Sequence, residues 1–223
     1  MNWKDMDFFP IMGIELTTKN TTKLDFSPSN EGLKSVDLSN TESFDSYVFG
    51  QLESQGKAFG IGGYLEHRAI YQRAEMFATA AEDFRNIHLG VDIWTKAGAE
   101  VFVPLDGKVH SIRDNEGFAN YGPTIILEHE LDGEKLYSLY GHLSREDLKF
   151  LRKGQHVISG ELLCHVGPFP ENGDWPPHLH FQLMWDMQGL EGDYPGVCSS
   201  RERKAYALNC PNPNLIIRSE VLD

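Results

Sequence analysis

Residues 177–184 read PHLHFQLM and predict a strand with polar groups on one face. Side chains alternate between the two faces of a strand, so His178, His180 and Gln182 share one face, while Leu179 and Phe181 point to the opposite layer. The layer beneath the strand is therefore expected to be apolar. The other face presents two imidazoles.

Two other segments supply groups of the same chemistry. Residues 88–92 read HLGVD and hold an imidazole and a carboxylate four positions apart, and residues 140–144 read YGHLS and place His142 at a strand end. Two imidazoles and one carboxylate are a normal catalytic zinc set that leaves a fourth position open for water. Each motif alone is a weak signal, and their joint occurrence indicates a metal site.

The helical zinc motif H-E-x-x-H is excluded, because the only His-Glu pair lies in residues 129–133, which read HELDG. We therefore expect the metal-binding groups to come from strands and loops. The remaining histidines are expected to be structural or exposed: His67, His110, His129, His156 and His165.

Short strands with glycine-containing turns predict a mainly β fold, α+β by count of elements, with a compact antiparallel sheet. Two hairpins are expected, one between strands at 100–104 and 108–112 around Asp106-Gly107, and one between strands at 124–130 and 135–140 around Asp132-Gly133. Further strands are expected at 161–166 and 178–185. A capping-box pattern over 144–147 predicts a short helix that ends near residue 151.

The chain divides into three parts. Residues 1–85 are expected to form an N-terminal arm and extension that packs on the core, 86–187 the β core, and 188–223 a loop-rich tail rich in Gly and Pro. Residues 1–40 are polar and show little periodicity, which predicts a poorly packed arm. The extension is expected to hold one or two short helices.

Two segments of the extension carry secondary-structure signals. Phe44, Val48 and Leu52 recur every four residues and predict a short helix over 42–53. Residues 64–71 are compatible with helix or strand, and the glycines before them favour a strand.

Charge and composition exclude several partners. The 223 residues contain 20 Lys and Arg against 33 Asp and Glu, a net charge of −13, which repels nucleic acid phosphates and anionic lipids. No stretch approaches the roughly 18–20 consecutive apolar residues of a membrane span. We therefore expect neither nucleic acid nor a membrane among its partners.

The N-terminus and the cysteines bear on the cellular location. Residues 1–14 lack the basic region and long apolar core of a secretory signal, which favours a cytoplasmic protein, with a periplasmic or secreted location if a leader has been removed. The odd number of cysteines fits reduced thiols better than a disulfide framework. Free thiols are favoured for Cys164, Cys198 and Cys210.

Together these motifs resemble the lysostaphin-type, or LytM-like, zinc metallopeptidases. Members share H-x-x-x-D, a later His in a Tyr-x-His-Leu-Ser context and a final H-x-H. In this chain the stretch from about residue 86 to residue 185 contains all three motifs in that order. The resemblance implies an open antiparallel sheet whose groove holds one Zn²⁺ per chain. It implies these roles by position: His88, Asp92 and His180 as zinc ligands, and His142 and His178 as catalytic histidines that do not bind the metal.

The resemblance further implies an endopeptidase that hydrolyses a peptide bond in peptidoglycan-like or small peptide substrates by zinc-activated water. Many members carry a small Ser-Thr-Gly-like run before H-x-H, whereas residues 171–177 read ENGDWPP. Trp175 adds a large wall and the two prolines stiffen the approach, so the groove is expected to suit glycine bridges poorly. The candidate groove-lining residues are Trp175, Asn172, Glu66 and Arg68.

Three alternatives stay open. The chain also looks like peptidase-type modules fused between kinase-like and aminotransferase domains in some cytoplasmic proteins. A zinc hydrolase of a non-peptide cytoplasmic amide would use the same motifs. A non-catalytic binding or regulatory module that keeps the fold is disfavoured, because all five motif positions are present. The N-terminal arm is a candidate cover for the groove, as pro-segments are in some relatives.

Overall fold

The computed structural model describes residue 3 and residues 6–78, 84–131 and 133–222. Within these residues the chain forms twelve strands, three α-helices and several short 3-10 helices. The strands are β1 (Thr21–Lys23), β2 (Phe59–Gly62), β3 (Ile87–His88), β4 (Val91–Trp94), β5 (Glu100–Phe102), β6 (Gly107–Asn115), β7 (Gly122–Leu131), β8 (Glu134–Gly141), β9 (His156–Val157), β10 (Leu162–His165), β11 (His178–Met184) and β12 (Val197–Cys198). The helices are α1 (Thr41–Ser54), α2 (Arg203–Asn209) and α3 (Asn214–Ile217), and 3-10 helices lie at Glu31–Ser35, Ile70–Arg73, Glu75–Phe77, Asp147–Phe150 and Glu220–Leu222.

In the described part of the chain, eight strands form one sheet in the order β1-β2-β4-β11-β8-β7-β6-β9. Every neighbouring pair in it is antiparallel except the parallel pair β1–β2. Two small two-stranded sheets, β5–β10 and β3–β12, complete the arrangement. The mainly β, antiparallel fold predicted from the sequence is confirmed.

Strand β11 lies between β4 and β8 and brings the distant motifs together. His180 lies opposite Asp92 on one side and Gly141 on the other. Residues directly opposite one another in antiparallel strands project to the same face, so Asp92 and His180 share a face. On the other face Leu179 and Phe181 pack in the main core with Val91 and Ile93, as the alternation predicts.

The N-terminal extension is part of the sheet. Its strand β2 pairs with β4, and Gly62 lies opposite Asp92. Helix α1 confirms the helix predicted from the apolar spacing: Phe44, Val48 and Leu52 are buried on one side, and the Asn40 side chain accepts a hydrogen bond from the Ser43 N–H at its start.

Two expectations for the extension are wrong. The arm expected over 1–40 is not poorly packed in its described part, because apolar side chains anchor it: Ile11, Met12, Leu16, Leu24, Phe26 and Leu33 are all buried. The strand favoured for residues 64–71 lies earlier, in β2. Residues 64–71 instead form a turn, with Leu65 in the left-handed region at φ 55°, and the beginning of a 3-10 helix at Ile70–Arg73.

The hairpin expected at Asp106-Gly107 is also wrong. Strand β5 pairs with β10 rather than β6, and β6 pairs with β7 and β9. A Cβ at Gly107 would lie 2.6 Å from both the Glu128 carbonyl oxygen and His129 Nδ1. The Asp106 carboxylate accepts a hydrogen bond from the Ser159 N–H at 2.7 Å. Gly107 therefore allows β6 to lie close to β7 at this point, and the dipeptide does not form a hairpin turn.

The other local expectations fare better. Strands β7 and β8 form the predicted hairpin, with Leu131 paired to Glu134, although Asp132 of its turn lies outside the described residues. The helix expected over 144–151 is a 3-10 helix at Asp147–Phe150, where the Asp147 carboxylate accepts a bond from the His165 N–H. In the tail, β12, α2 and α3 stand where loops were expected.

All three cysteines are buried free thiols. Among the described residues, no helix combines the length and apolar character needed to cross a bilayer.

Candidate metal and catalytic site

Three buried side chains converge on one point at the centre of the sheet. Nε2 of His88 lies 3.0 Å from Nδ1 of His180 and 3.2 Å from Oδ1 of Asp92, and His180 Nδ1 lies 2.9 Å from the same oxygen. These residues form a group able to hold a metal ion. In a tetrahedral zinc site with bonds of roughly 2.0–2.1 Å, neighbouring ligand atoms stand about 3.3 Å apart, so the spacing fits zinc.

The outer hydrogen bonds of the two imidazoles fix which nitrogen faces the centre. Nδ1 of His88 donates to the Gly63 carbonyl oxygen at 3.2 Å. Nε2 of His180 donates to Oε1 of Gln182 at 3.0 Å, and the Gln182 amide is itself oriented by a bond to the Pro195 carbonyl. Partners of this kind hold ligand rings in place and set the tautomer.

The inner atoms are therefore three candidate ligand atoms that face one another. Burial, with the nearby Arg68 cation, lowers the pKa of His88 to about 3, so its ring is neutral. The inner nitrogen of His88 then carries a lone pair, and it points at the Asp92 carboxylate, as the inner nitrogen of His180 also does. Two nitrogens and one carboxylate oxygen at this spacing are a ligand set that suits zinc.

Asp92 divides its two oxygens between different partners. Oδ1 faces the histidines, whereas Oδ2 is paired with Nη1 of Arg68, whose side chain is fully buried. Although burial raises the pKa of Asp92, the neighbouring His88 and Arg68 hold it well below its usual range. Asp92 is therefore ionised, as a ligand must be.

His142 and His178 form a second pair beside the first three. Their ring centroids are 4.2 Å apart. Nδ1 of His142 donates to the Asn172 carbonyl and Nδ1 of His178 to the Pro176 carbonyl, each at 2.7 Å. Because a carbonyl only accepts, Nε2 of each ring is left as a proton acceptor. Nε2 of His178 lies 4.0 Å from Oδ1 of Asp92.

The backbone at His142 is unusual. This residue follows β8 with φ 61°, in the left-handed region that non-glycine residues seldom adopt. Its N–H donates to the Tyr121 carbonyl at 2.8 Å, and its carbonyl accepts from Gly167 at 2.9 Å. Such strain often accompanies a functional position.

A cavity of about 430 Å³ opens beside these histidines. Its walls include both candidate catalytic histidines and a set of large apolar side chains: Phe44, Ile70, Tyr71, Phe77, Trp94, Trp175 and Leu190. The Trp175 ring lies 6.1 Å from His142 and 6.2 Å from His178. A volume of this size is typical of small-ligand sites.

The other three candidate groove residues, Asn172, Glu66 and Arg68, do not line the cavity. Asn172 is fully buried, and its side chain bonds to the Gly167 and Trp175 carbonyls, which ties the 167–175 loop together. Glu66 receives a hydrogen bond from Nε of Arg68 at 2.8 Å. Asn172 and Arg68 thus support catalytic or ligand candidates from outside the cavity.

Two site residues were not anticipated from the sequence. Tyr121 lines the cavity, and its hydroxyl lies 3.4 Å from Nε2 of His180. Trp94 stacks on His178 at 5.3 Å and lies 5.4 Å from the Arg68 guanidinium. The sequence holds only a weak signal for either, an aromatic residue beside a glycine or in an apolar strand.

Comparison with known proteins adds an independent finding. Residues 86–191 match the model of peptidase family M23. No curated protein matches the chain. Among solved structures, a zinc-containing peptidase from Vibrio cholerae is 29% identical over 44% of this chain and 27% of its own, with a TM-score of 0.34.

Two further structures are similar. An M23 peptidase structure from Pseudomonas aeruginosa is 28% identical over 43% of this chain and 37% of its own, with a TM-score of 0.34. The catalytic domain of lysostaphin from Staphylococcus simulans is 22% identical over 60% of this chain and 81% of its own, with a TM-score of 0.40. The chain thus spans about a quarter to a third of the length of the Vibrio and Pseudomonas proteins.

Proposed function

Because residues 86–191 form a domain of peptidase family M23, we propose that the protein is a zinc-dependent peptidase that hydrolyses a peptide bond with water. The observation that carries the proposal is the convergence of three buried candidate ligand atoms, His88 Nε2, His180 Nδ1 and Asp92 Oδ1, beside two further histidines whose pKa burial lowers. Separate metal and proton-transfer groups in one cavity are what amide hydrolysis requires.

In this proposal one Zn²⁺ per chain is held by His88, Asp92 and His180. When bound, zinc supplies a Lewis acid for the scissile carbonyl and lowers the pKa of its water to about 7. The hydrogen bonds to Gly63 and Gln182 place the outer proton of each ligand ring and orient the other nitrogen toward the metal position.

His142 and His178 are the proposed catalytic histidines. Each presents Nε2 as an acceptor, so one can take a proton from the attacking water while the other donates to the oxyanion or the leaving amine once protonated. Burial lowers the pKa of His178 to about 4, which keeps its ring neutral at pH 7 with Nε2 free to accept a proton. Their Nδ1–H bonds to main-chain carbonyls hold both rings against rotation.

The substrate proposed for this site is a peptide or a peptidoglycan fragment. The aromatic wall formed by Trp175 and its neighbours favours substrates with a bulky apolar group over glycine bridges. The net charge of −13 argues against nucleic acid and anionic membranes as partners. The cytoplasmic location and the similarity to fused peptidase modules stay predictions.

A second candidate function is hydrolysis of a non-peptide amide. The apolar cavity beside the metal-binding group supports this candidate as well, because a small, largely apolar amide would fill a cavity of this volume. The proton-transfer chemistry would be unchanged, so only the substrate separates the two candidates. A binding module without turnover would keep the metal and hydrolyse neither.

The test combines metal analysis with a substrate panel. Protein purified at neutral pH should hold about one zinc per chain by mass spectrometry, as a three-ligand site does. The zinc-loaded protein is then incubated with peptidoglycan fragments, short peptides with glycine or aromatic residues, and small amides. Products are read by mass spectrometry, with a chelator control.

Cleavage of peptides that the chelator abolishes supports a peptidase, and cleavage of amides alone supports the second candidate. Zinc without turnover on any substrate would favour a binding module. Protein that neither retains nor takes up zinc contradicts the proposal.

A further inference from the structure

One charged residue at the metal-binding group comes from outside the matched family region. Arg68 belongs to the N-terminal extension, and its side chain is fully buried. Its guanidinium pairs through Nη1 with Oδ2 of Asp92 and through Nε with Glu66 at 2.8 Å. A buried cation is costly unless it is paired, so the pairing with Asp92 is a strong local determinant of the site.

The surrounding structure is shaped to hold this guanidinium. Its centre lies 5.4 Å from the Trp94 ring and 5.8 Å from the Phe26 ring, both buried. Gly62, which lies opposite Asp92 in the sheet, leaves room for it, because a Cβ there would lie 2.6 Å from Arg68 Nη2. The extension therefore delivers Arg68 to one fixed position behind Asp92.

We infer that Arg68 is a positioning residue that limits Asp92 to one oxygen toward the metal and weakens the hold of the site on it. The inference rests on the proposed function, in which Asp92 is a ligand. Oδ2 is occupied by the guanidinium, so Oδ1 alone faces His88 and His180. A one-oxygen carboxylate leaves more of the coordination sphere to water and substrate.

The sign of the effect on affinity follows from charge. Without metal, Arg68 already compensates the buried negative charge of Asp92, so a cation gains less by binding there. With metal, two positive charges share a surrounding of low dielectric and repel. Both contributions lower metal affinity. Arg68 therefore lowers the affinity of the site for the metal and leaves a bound metal more electrophilic.

The experiment measures zinc affinity by competition with a chromophoric chelator. Arg68→Met, which removes the charge but keeps an apolar body, should bind zinc on the order of tenfold more tightly, within the range of effects seen for groups that support metal ligands. Turnover should fall by a similar factor. The cobalt-substituted variant should absorb more weakly in the visible, because a second carboxylate oxygen raises the coordination number.

A second variant should shift affinity the other way. Glu66→Gln removes part of the countercharge of Arg68, so the guanidinium charge acts more fully on the metal, and zinc affinity should fall several-fold. Arg73→Met is the matched control. Arg73 is also stacked on an aromatic ring, 4.6 Å from Trp175, but it hydrogen-bonds Thr41 rather than a ligand. The zinc affinity of the Arg73→Met variant should match that of the wild type.

The outcomes separate the inference from the proposed function. If Arg68 only stabilised the fold, Arg68→Met would bind zinc more weakly, and the inference would be wrong even with a fully active wild type. If Arg68→Met does not fold, a Glu66→Gln protein with unchanged or tighter zinc binding overturns the inference. A wild-type protein that binds no zinc defeats both proposals.

Discussion

His142 meets two demands with one residue, a left-handed backbone and a neutral imidazole. The φ of 61° costs most side chains on the order of 1 kcal/mol, but asparagine tolerates this region. The conservative replacement at this position is therefore asparagine rather than alanine. The choice matters for any experiment that must separate chemistry from folding.

We expect His142→Asn and His178→Asn to keep zinc and to lose turnover on the order of 10²-fold or more, because each removes a proton-transfer group. His156→Asn is the control, since His156 is exposed on β9. Zinc content, steady-state rates and thermal unfolding are measured together. Wild-type rates in both variants would remove these histidines from the mechanism.

A pH prediction rests on His129, outside the metal-binding group. His129 is buried, and its Nδ1 donates to the Asp106 carbonyl at 2.9 Å. Burial lowers its pKa below the ordinary value of 6.5, despite the nearby Asp106 and Glu128. The folded state therefore binds fewer protons than the unfolded state, so this residue costs stability as pH falls below about 6.5.

We expect His129→Gln to flatten the loss of unfolding free energy between pH 7 and about pH 5, because glutamine keeps hydrogen bonds but takes up no proton. Urea unfolding of both proteins across this range gives the slope. The other histidines are common to both proteins, so their effect cancels. Parallel pH profiles would contradict the assignment.

At the residue scale, the sequence predicted what spacing encodes. The H-x-x-x-D and H-x-H patterns marked His88, Asp92 and two histidines at 178 and 180, and the family resemblance implied His180 as the ligand. The structure brings His88, Asp92 and His180 together. The sequence could not assign Arg68 to Asp92, 24 positions away, because their contact depends on the pairing of β2 with β4. Pairing between strands, unlike spacing within one, leaves no local pattern.

At the scale of elements, alternation and helical spacing were reliable, and turn signals were not. Asp132-Gly133 and Asp106-Gly107 are the same dipeptide, yet only the first lies in a hairpin. At the second, glycine is required because Glu128 and His129 leave no space for a side chain in the folded protein. A local preference for a turn was overridden by tertiary packing.

Gly107→Ala should therefore destabilise the protein by about 2 kcal/mol or more, since overpacking against backbone atoms costs about 1–3 kcal/mol. Gly50→Ala is the matched control. Gly50 lies within α1 with open space at its Cβ, so alanine there should stabilise by about 0.5–1 kcal/mol. Chemical denaturation measures both. Equal changes in unfolding free energy for the two substitutions would show that β6 and β7 can move apart enough to accommodate a methyl group at residue 107.

At the scale of the whole molecule, the family region and its N-terminal extension form one structure. The extension adds two strands to the sheet, and its helix α1 supplies Phe44 to the cavity wall. In the described residues, the extension contributes Phe44, Ile70, Tyr71, Met76, Phe77 and Arg85 to the cavity wall and nothing from 1–40. Within that segment Phe9 packs on β5, 5.5 Å from the Phe102 ring, and β1 pairs with β2.

Deletion of residues 1–40 should abolish cooperative unfolding. The deletion removes six buried apolar side chains, each worth about 1.5–3 kcal/mol on burial, which is comparable with the whole stability of a typical domain, about 5–15 kcal/mol. Far-UV circular dichroism and a thermal scan test it. A truncated protein that melts at the wild-type temperature and keeps zinc would show that this segment is dispensable.

The contacts of Trp94 with His178 and with Arg68 have a practical consequence. Indole emission responds to nearby charge and to ring contacts, and Trp175 also touches both proposed catalytic histidines. The other two of the four tryptophans, Trp3 and Trp185, pack on each other at 5.9 Å and give a steady background. The protein thus carries its own optical reporter, and titration with a divalent cation can be followed by fluorescence without any label.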